Sequence, residues 1–155
     1  MAAETRLSTA RRLAGEWLPV FLWAAVIFFF STDLFSGSNT GEIFGVVMRF
    51  IFPDITSEAL SRTHFFLRKL GHFSAYFIFA VLLMRALRQE NQGRIETRHL
   101  AISFAVATIY AISDEFHQSF VPSRGADVVD VLIDMSGAIA GISWSHRRNR
   151  RKRPA

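Results

Sequence analysis

The sequence predicts an all-α fold: a polytopic membrane helical bundle of four transmembrane helices, with an extra interfacial or re-entrant helix in the first loop. Three observations lead there. Half of the 155 residues are apolar, sixteen of them Phe, and the apolar residues gather into four long runs. Basic residues collect in alternate connections between those runs. Acids stand on otherwise apolar helical segments, where they are costly without partners and mark functional positions. The chain has one domain's worth of residues, read as a basic cytoplasmic N-terminus (1–12), a transmembrane domain (13–145) and a basic cytoplasmic tail (146–155). With no Cys there is neither a disulfide framework nor a thiolate metal site.

The first span is expected near residues 14–32. From Leu13 to Thr32 the only charge is Glu16, and Trp17 to Phe30 is apolar on every face, as in a membrane span or a fully buried helix. Pro19 is placed in the first turns, where its missing N–H matters little. No Ala-x-Ala-like cleavage site follows Phe30, so the run reads as a retained span. Ile43 to Phe52 is too short to cross and suits an interfacial or re-entrant helix ended by Pro53. Thr56 or Ser57 caps the next helix. The second span is expected near 69–88, the third near 100–120 and the fourth near 127–145. Asn91-Gln92-Gly93 and the segment around Pro122 are the turns between them.

Hydropathy alone does not separate this from a soluble four-helix bundle. The charge-free stretches Leu70–Met84 and Leu100–Ser113 are 15 and 14 residues long, short of the ~20 a span uses. A soluble bundle would, however, carry a charged outer face on each helix, and these runs do not. Three basic residues precede the first run, four lie between Arg85 and Arg98, and six lie in the tail, against Arg124 alone around Pro122. That is the positive-inside pattern with both termini cytoplasmic. The tail then serves topology and anionic lipids, with no nucleic-acid partner implied.

With that topology the polar residues converge. Lys69, His72 and Tyr76 share one helix face. Asp114 and Gln118 continue an alanine stripe from Ala107 and Ala111. Asp130, Asp134, Gly137 and Gly141 step by four, three and four along one stripe of the last helix. Together with Glu115 and Arg124, all these ionisable and amide groups fall in the outer half of the membrane. Such an inventory exceeds what a structural ion pair needs and predicts a pocket opening outward. Gly137 and Gly141 predict a close helix crossing. Glu115 is expected nearest the water, His64 and His117 at the surface, His99 and His146 at the cytoplasmic interface, and Asp127 as a helix cap.

Lys69-x-x-His72-Phe73-x-x-Tyr76, then Asp114-Glu115-x-His117-Gln118-x-Phe120-Val121-Pro122-x-Arg124, then Asp130-Val131-Leu132-Ile133-Asp134-x-x-Gly137-x-x-x-Gly141, resembles the VanZ-like family. Asp127 has no fixed counterpart in that pattern. The resemblance implies a bacterial multi-pass protein of the cytoplasmic (inner) membrane, linked to glycopeptide (teicoplanin) resistance. It implies no particular cofactor. The first expectation is a protein that binds or modifies a cell-envelope component, with membrane lipids and an anionic lipid-linked envelope precursor as partners. His72, Asp114, Glu115 and Asp130 are the candidate catalytic residues. Lys69, Tyr76, Gln118, Arg124 and Asp134 are the candidate ligand-binding residues, Lys69 and Arg124 holding an anionic head group. A metal-dependent hydrolase built on His72, Asp114, Glu115 and Asp130 is the second expectation, although no dense ligand motif is present. A non-catalytic structural or accessory membrane protein is the third.

Overall fold

The computed structural model describes residues 2–33, 37–91, 94–121 and 125–151. Among these it is all-helical: α1 (Ala2–Phe30), α2 (Gly37–Ile51), α3 (Ser57–Glu90), α4 (Thr97–Gln118) and α5 (Val128–Arg151). Central α3 touches each of the other four helices, most extensively α5. α4 also packs on α5, as a short connection between antiparallel neighbours requires.

Most helix bounds differ from the expected spans, but α3 starts at the cap the sequence offered. α3 begins at Ser57 because Thr56 caps it, its hydroxyl accepting the Ala59 N–H at 3.2 Å. At 34 residues it is about 51 Å long, much longer than a hydrocarbon core of ~30 Å. The expected 69–88 segment is thus one part of a continuous rod. α5 passes beyond Trp144 through Arg151, since nothing between Gly141 and Pro154 breaks a helix and Arg is a good helix former. α1 begins at Ala2, so Pro19 is interior to it rather than in the first turns. It therefore costs α1 an internal hydrogen bond.

Two described helices are both long and apolar enough to cross a membrane, Ser57–Gln89 and Val128–Arg151. The apolar part of α1, Ala14–Phe30, is shorter. α4 places Asp114 and Glu115 in its last turns, and these lower its apolarity. The outward faces are nonetheless oily. Phe21 and Leu22 on α1, Phe50 on α2, and Ile109 and Phe116 on α4 are all exposed. An apolar exterior of this extent marks an interaction with membrane or partner rather than with water.

Small residues bring α3 and α5 together. A Cβ on Gly137 would overlap the Phe73 carbonyl oxygen, and one on Gly141 would overlap that of Phe77 and stand 3.2 Å from the Ala80 Cβ. Buried Ser103, Ala107 and Ala111 form the matching strip on α4. Tyr76, Phe79, Leu83 and Met84 fill the space between. α1 is tied on by two side-chain-to-backbone bonds, one donated by α1 and one accepted by it. The Trp23 Nε1–H donates to Ala75 O at 2.9 Å, and the Tyr110 hydroxyl donates to Ala24 O at 2.6 Å.

α2 lies beside the early turns of α3. Thr40 Oγ1 and His64 Nε2 are 3.2 Å apart, and the Phe44 and His64 rings are 5.4 Å apart. His64 is therefore a half-buried docking residue, not the surface residue expected. His99, in the first turn of α4, is buried. Its Nδ1 accepts the Glu96 N–H at 3.0 Å and closes the start of α4.

Candidate functional site

The polar side chains gather at the end of the bundle where α4 gives way to α5. Lys69, His72 and Tyr76 come from α3, Asp114, Glu115 and Gln118 from α4, and Asp130 and Asp134 from α5. Asp114, Glu115, Gln118, Asp130 and Asp134 are all buried, Asp134 completely. Helical periodicity does the positioning. Steps of three and four keep each set on one face, and the glycine and alanine strips turn those faces toward one another.

Three local arrangements can be read. The Lys69 Nζ donates to Asp130 Oδ1 at 2.5 Å and to Asp127 Oδ2 at 3.1 Å, and lies 5.0 Å from the Phe65 ring centre. His72 Nδ1 stands 3.2 Å from Asp134 Oδ1. Gln118 Nε2 donates to Asp114 Oδ2 at 3.0 Å and to Ser31 Oγ at 3.4 Å. These arrangements adjoin one another, since Lys69 and His72 stand one turn apart on α3 and Asp130 and Asp134 one turn apart on α5.

Some buried atoms are left over. Tyr76 Oη, Asp134 Oδ2 and Glu115 Oε1 have no hydrogen-bond partner among the described residues. An unpaired buried polar atom is expensive, and three of them gather around this one cluster. Carboxylates also outnumber the described cations there.

The structure departs from the sequence reading at three residues. Glu115 is not nearest the water. It is buried, and its Oε2 accepts the Asp127 N–H at 2.8 Å, pinning the entry to α5. Asp127 is more than a cap. Its Oδ1 accepts the Val129 N–H at 2.9 Å while Oδ2 binds Lys69. That backbone donor, with the Lys69 ammonium, holds Asp127 below the usual carboxylate range. Lys69 is shared between these two acids. His117 is half-buried, its ring tilted against Phe28 with ring centres 4.7 Å apart, rather than fully facing solvent. Arg124 lies outside the described residues.

Ser31 was missed as a site residue by the sequence reading, which took Asp127 for a cap alone. Ser31 gives only the signal of a hydroxyl at the exit of an apolar run. Asp127 sits three residues before Asp130, a spacing that could have placed it on the same side. The metal-hydrolase arrangement is not formed. Among the described residues no three His, Cys, Asp or Glu side chains are grouped to hold a metal ion. His72 turns to Asp134, and Asp130 to Lys69.

Beside the cluster lies a cavity of about 710 Å³, between α1, α2 and α3. His72, Tyr76 and Asp114 form part of its wall; Trp23, Ile27, Phe44, Val47 and Leu67 are among its apolar lining. The polar unit thus opens onto an apolar space of ligand size.

The sequence pattern of the VanZ/LLP1 family matches residues 17–146, from the apolar part of α1 almost to the end of α5. No curated protein and no solved structure matches the chain. Family match and spanning-length apolar helices agree on a membrane protein. With the pattern covering all five helices, the chain belongs to the VanZ/LLP1 family.

Proposed function

We propose that this protein binds or modifies a polar group of a cell-envelope component in the outer half of the bacterial cytoplasmic membrane. One observation carries the reading: buried polar side chains from three helices meet at one end of the bundle, and His72, Tyr76 and Asp114 of that set face a cavity. The arginine distribution supports four spans with both termini cytoplasmic, which sets this end of the bundle outside. The excess of carboxylates suits a ligand that donates hydrogen bonds, such as a hydroxyl- or amine-bearing head group. Resemblance links the activity to teicoplanin resistance.

A second reading, that the site is catalytic, is favoured by the His72–Asp134 contact. A carboxylate on Nδ1 fixes the ring and leaves Nε2 for proton transfer. His72 would be the acid–base group and Asp134 its positioning residue.

The test is expression of Asp114→Asn, Asp130→Asn and His72→Gln in a teicoplanin-susceptible host. Loss of the resistance or envelope phenotype with normal insertion supports a functional site. Poor insertion with full activity per molecule makes the cluster a structural pin and sinks the proposal. If binding alone is the function, His72→Gln weakens the phenotype without changing any lipid-linked species. An altered species pattern selects the catalytic reading.

A further inference from the structure

The cavity's long apolar part needs its own explanation, and Gly71 supplies one. Glycine inside a helix is unfavourable by about 1 kcal/mol relative to Ala. Gly137 and Gly141 each have a packing reason, a neighbouring backbone where a Cβ would sit. Gly71, in the middle of α3, has none: a Cβ built there meets nothing within 4 Å. It lies on the cavity wall. Its missing side chain keeps a channel open rather than letting helices approach.

The channel follows α3 from His64 to Ile78, about 21 Å of helix rise. Facing walls come from Trp23, Ile27 and Phe30 of α1 and from Phe44 and Val47 of α2. Phe30 and Val47 on its wall are exposed, so the channel is open to the surroundings of the bundle. Near its α3 start stands Arg68, half-buried. Among the described residues Arg68 forms no ion pair, whereas neighbouring Lys69 is held by two acids. An open apolar channel reached from the lipid-facing surface, with a guanidinium toward one end, has the chemistry of an anionic membrane lipid.

We propose that the groove between α1, α2 and α3 holds an acyl chain of an anionic membrane lipid, with Arg68 binding its phosphate. This rests on the site reading above for its polar side and names the ligand class: an amphiphile whose chain lies along Gly71 while its head group reaches toward His72 and Asp114.

Trp23 provides the readout, because its indole N–H is tied to Ala75 O and its ring stays in the wall. Trp17→Phe and Trp144→Phe leave it as the sole tryptophan. This protein is placed in dioleoylphosphatidylcholine vesicles containing a minor fraction of phosphatidylglycerol brominated along its acyl chains, or of phosphatidylcholine brominated in the same way. Saturable quenching by the brominated anionic lipid, beyond its bulk fraction, is expected. Gly71→Leu should weaken it at least about ten-fold by filling the channel, and Arg68→Gln should remove the preference for the anionic lipid. Val47→Phe fills the groove from the opposite wall and serves if Gly71→Leu does not fold. Quenching that follows bulk composition, or that is equal for both lipids, overturns the proposal. Asp130→Asn separates the two claims. If it leaves both phenotype and quenching intact, the polar-site reading fails and the lipid groove stands.

Discussion

Lys69 and Asp130, 61 residues apart in the chain, form a 2.5 Å ion pair in which the carboxylate is buried and the ammonium has a second acid, Asp127, at 3.1 Å. The pair is asymmetric. Lys69→Met leaves Asp130 a buried charge with its cation gone, a loss of about 3–5 kcal/mol. Asp130→Asn leaves Lys69 with Asp127, so it should cost clearly less. Thermal melting in mild detergent should show this order, and the double variant should melt above the sum of the two losses. Equal losses would mean that Asp127 does not support Lys69.

Gly141→Leu should destabilise the bundle by about 1–3 kcal/mol through overpacking against Phe77 and Ala80. Gly71→Leu meets open space and should be neutral, or stabilising by up to about 1 kcal/mol from helix propensity. Circular-dichroism melting of the two variants side by side tests the contrast. A destabilised Gly71→Leu would show that the groove is closed in solution.

Orientation is checked by thiol labelling, since the native chain has no Cys. Ala126 and Thr97 are exposed at opposite ends of the α4–α5 pair. Ala126→Cys should react with an impermeant reagent in whole cells, and Thr97→Cys only after lysis. The reverse result moves the polar cluster to the cytoplasmic side.

Acid should loosen the start of α5. Asp127 is held below the ordinary carboxylate range by the Val129 N–H and then by Lys69. A depressed folded-state value means that its stabilising contribution is present above the unfolded value, about 3.9, and is lost as pH falls through the folded one. The melting difference between wild type and Asp127→Asn should therefore be full at neutral pH and shrink on acidification below about pH 4. A difference independent of pH would assign Asp127 a role that does not involve its charge.

What the sequence by itself determined was local. Periodicity placed Lys69, His72 and Tyr76 on one face, Asp114 and Gln118 on another, and Asp130, Asp134, Gly137 and Gly141 on a third, because side-chain direction repeats every 3.6 residues whatever the helix packs against. Gly137 and Gly141 announced a close helix crossing for the same reason, and the structure made α3 the neighbour. Helix ends were less legible: α3 and α5 continue past their apolar cores on polar residues that hydropathy does not count as helix. Only the tertiary structure decided the partners. Lys69 meets Asp130 and Asp127 while His72 meets Asp134, because pairing depends on the axial register of α3 against α5, which no single helix encodes. Ser31 joins Gln118, and Glu115 is drawn inward to the Asp127 N–H, through the placement of a separate helix and a turn. The groove beside Gly71 exists because α1 and α2 both stand across from it.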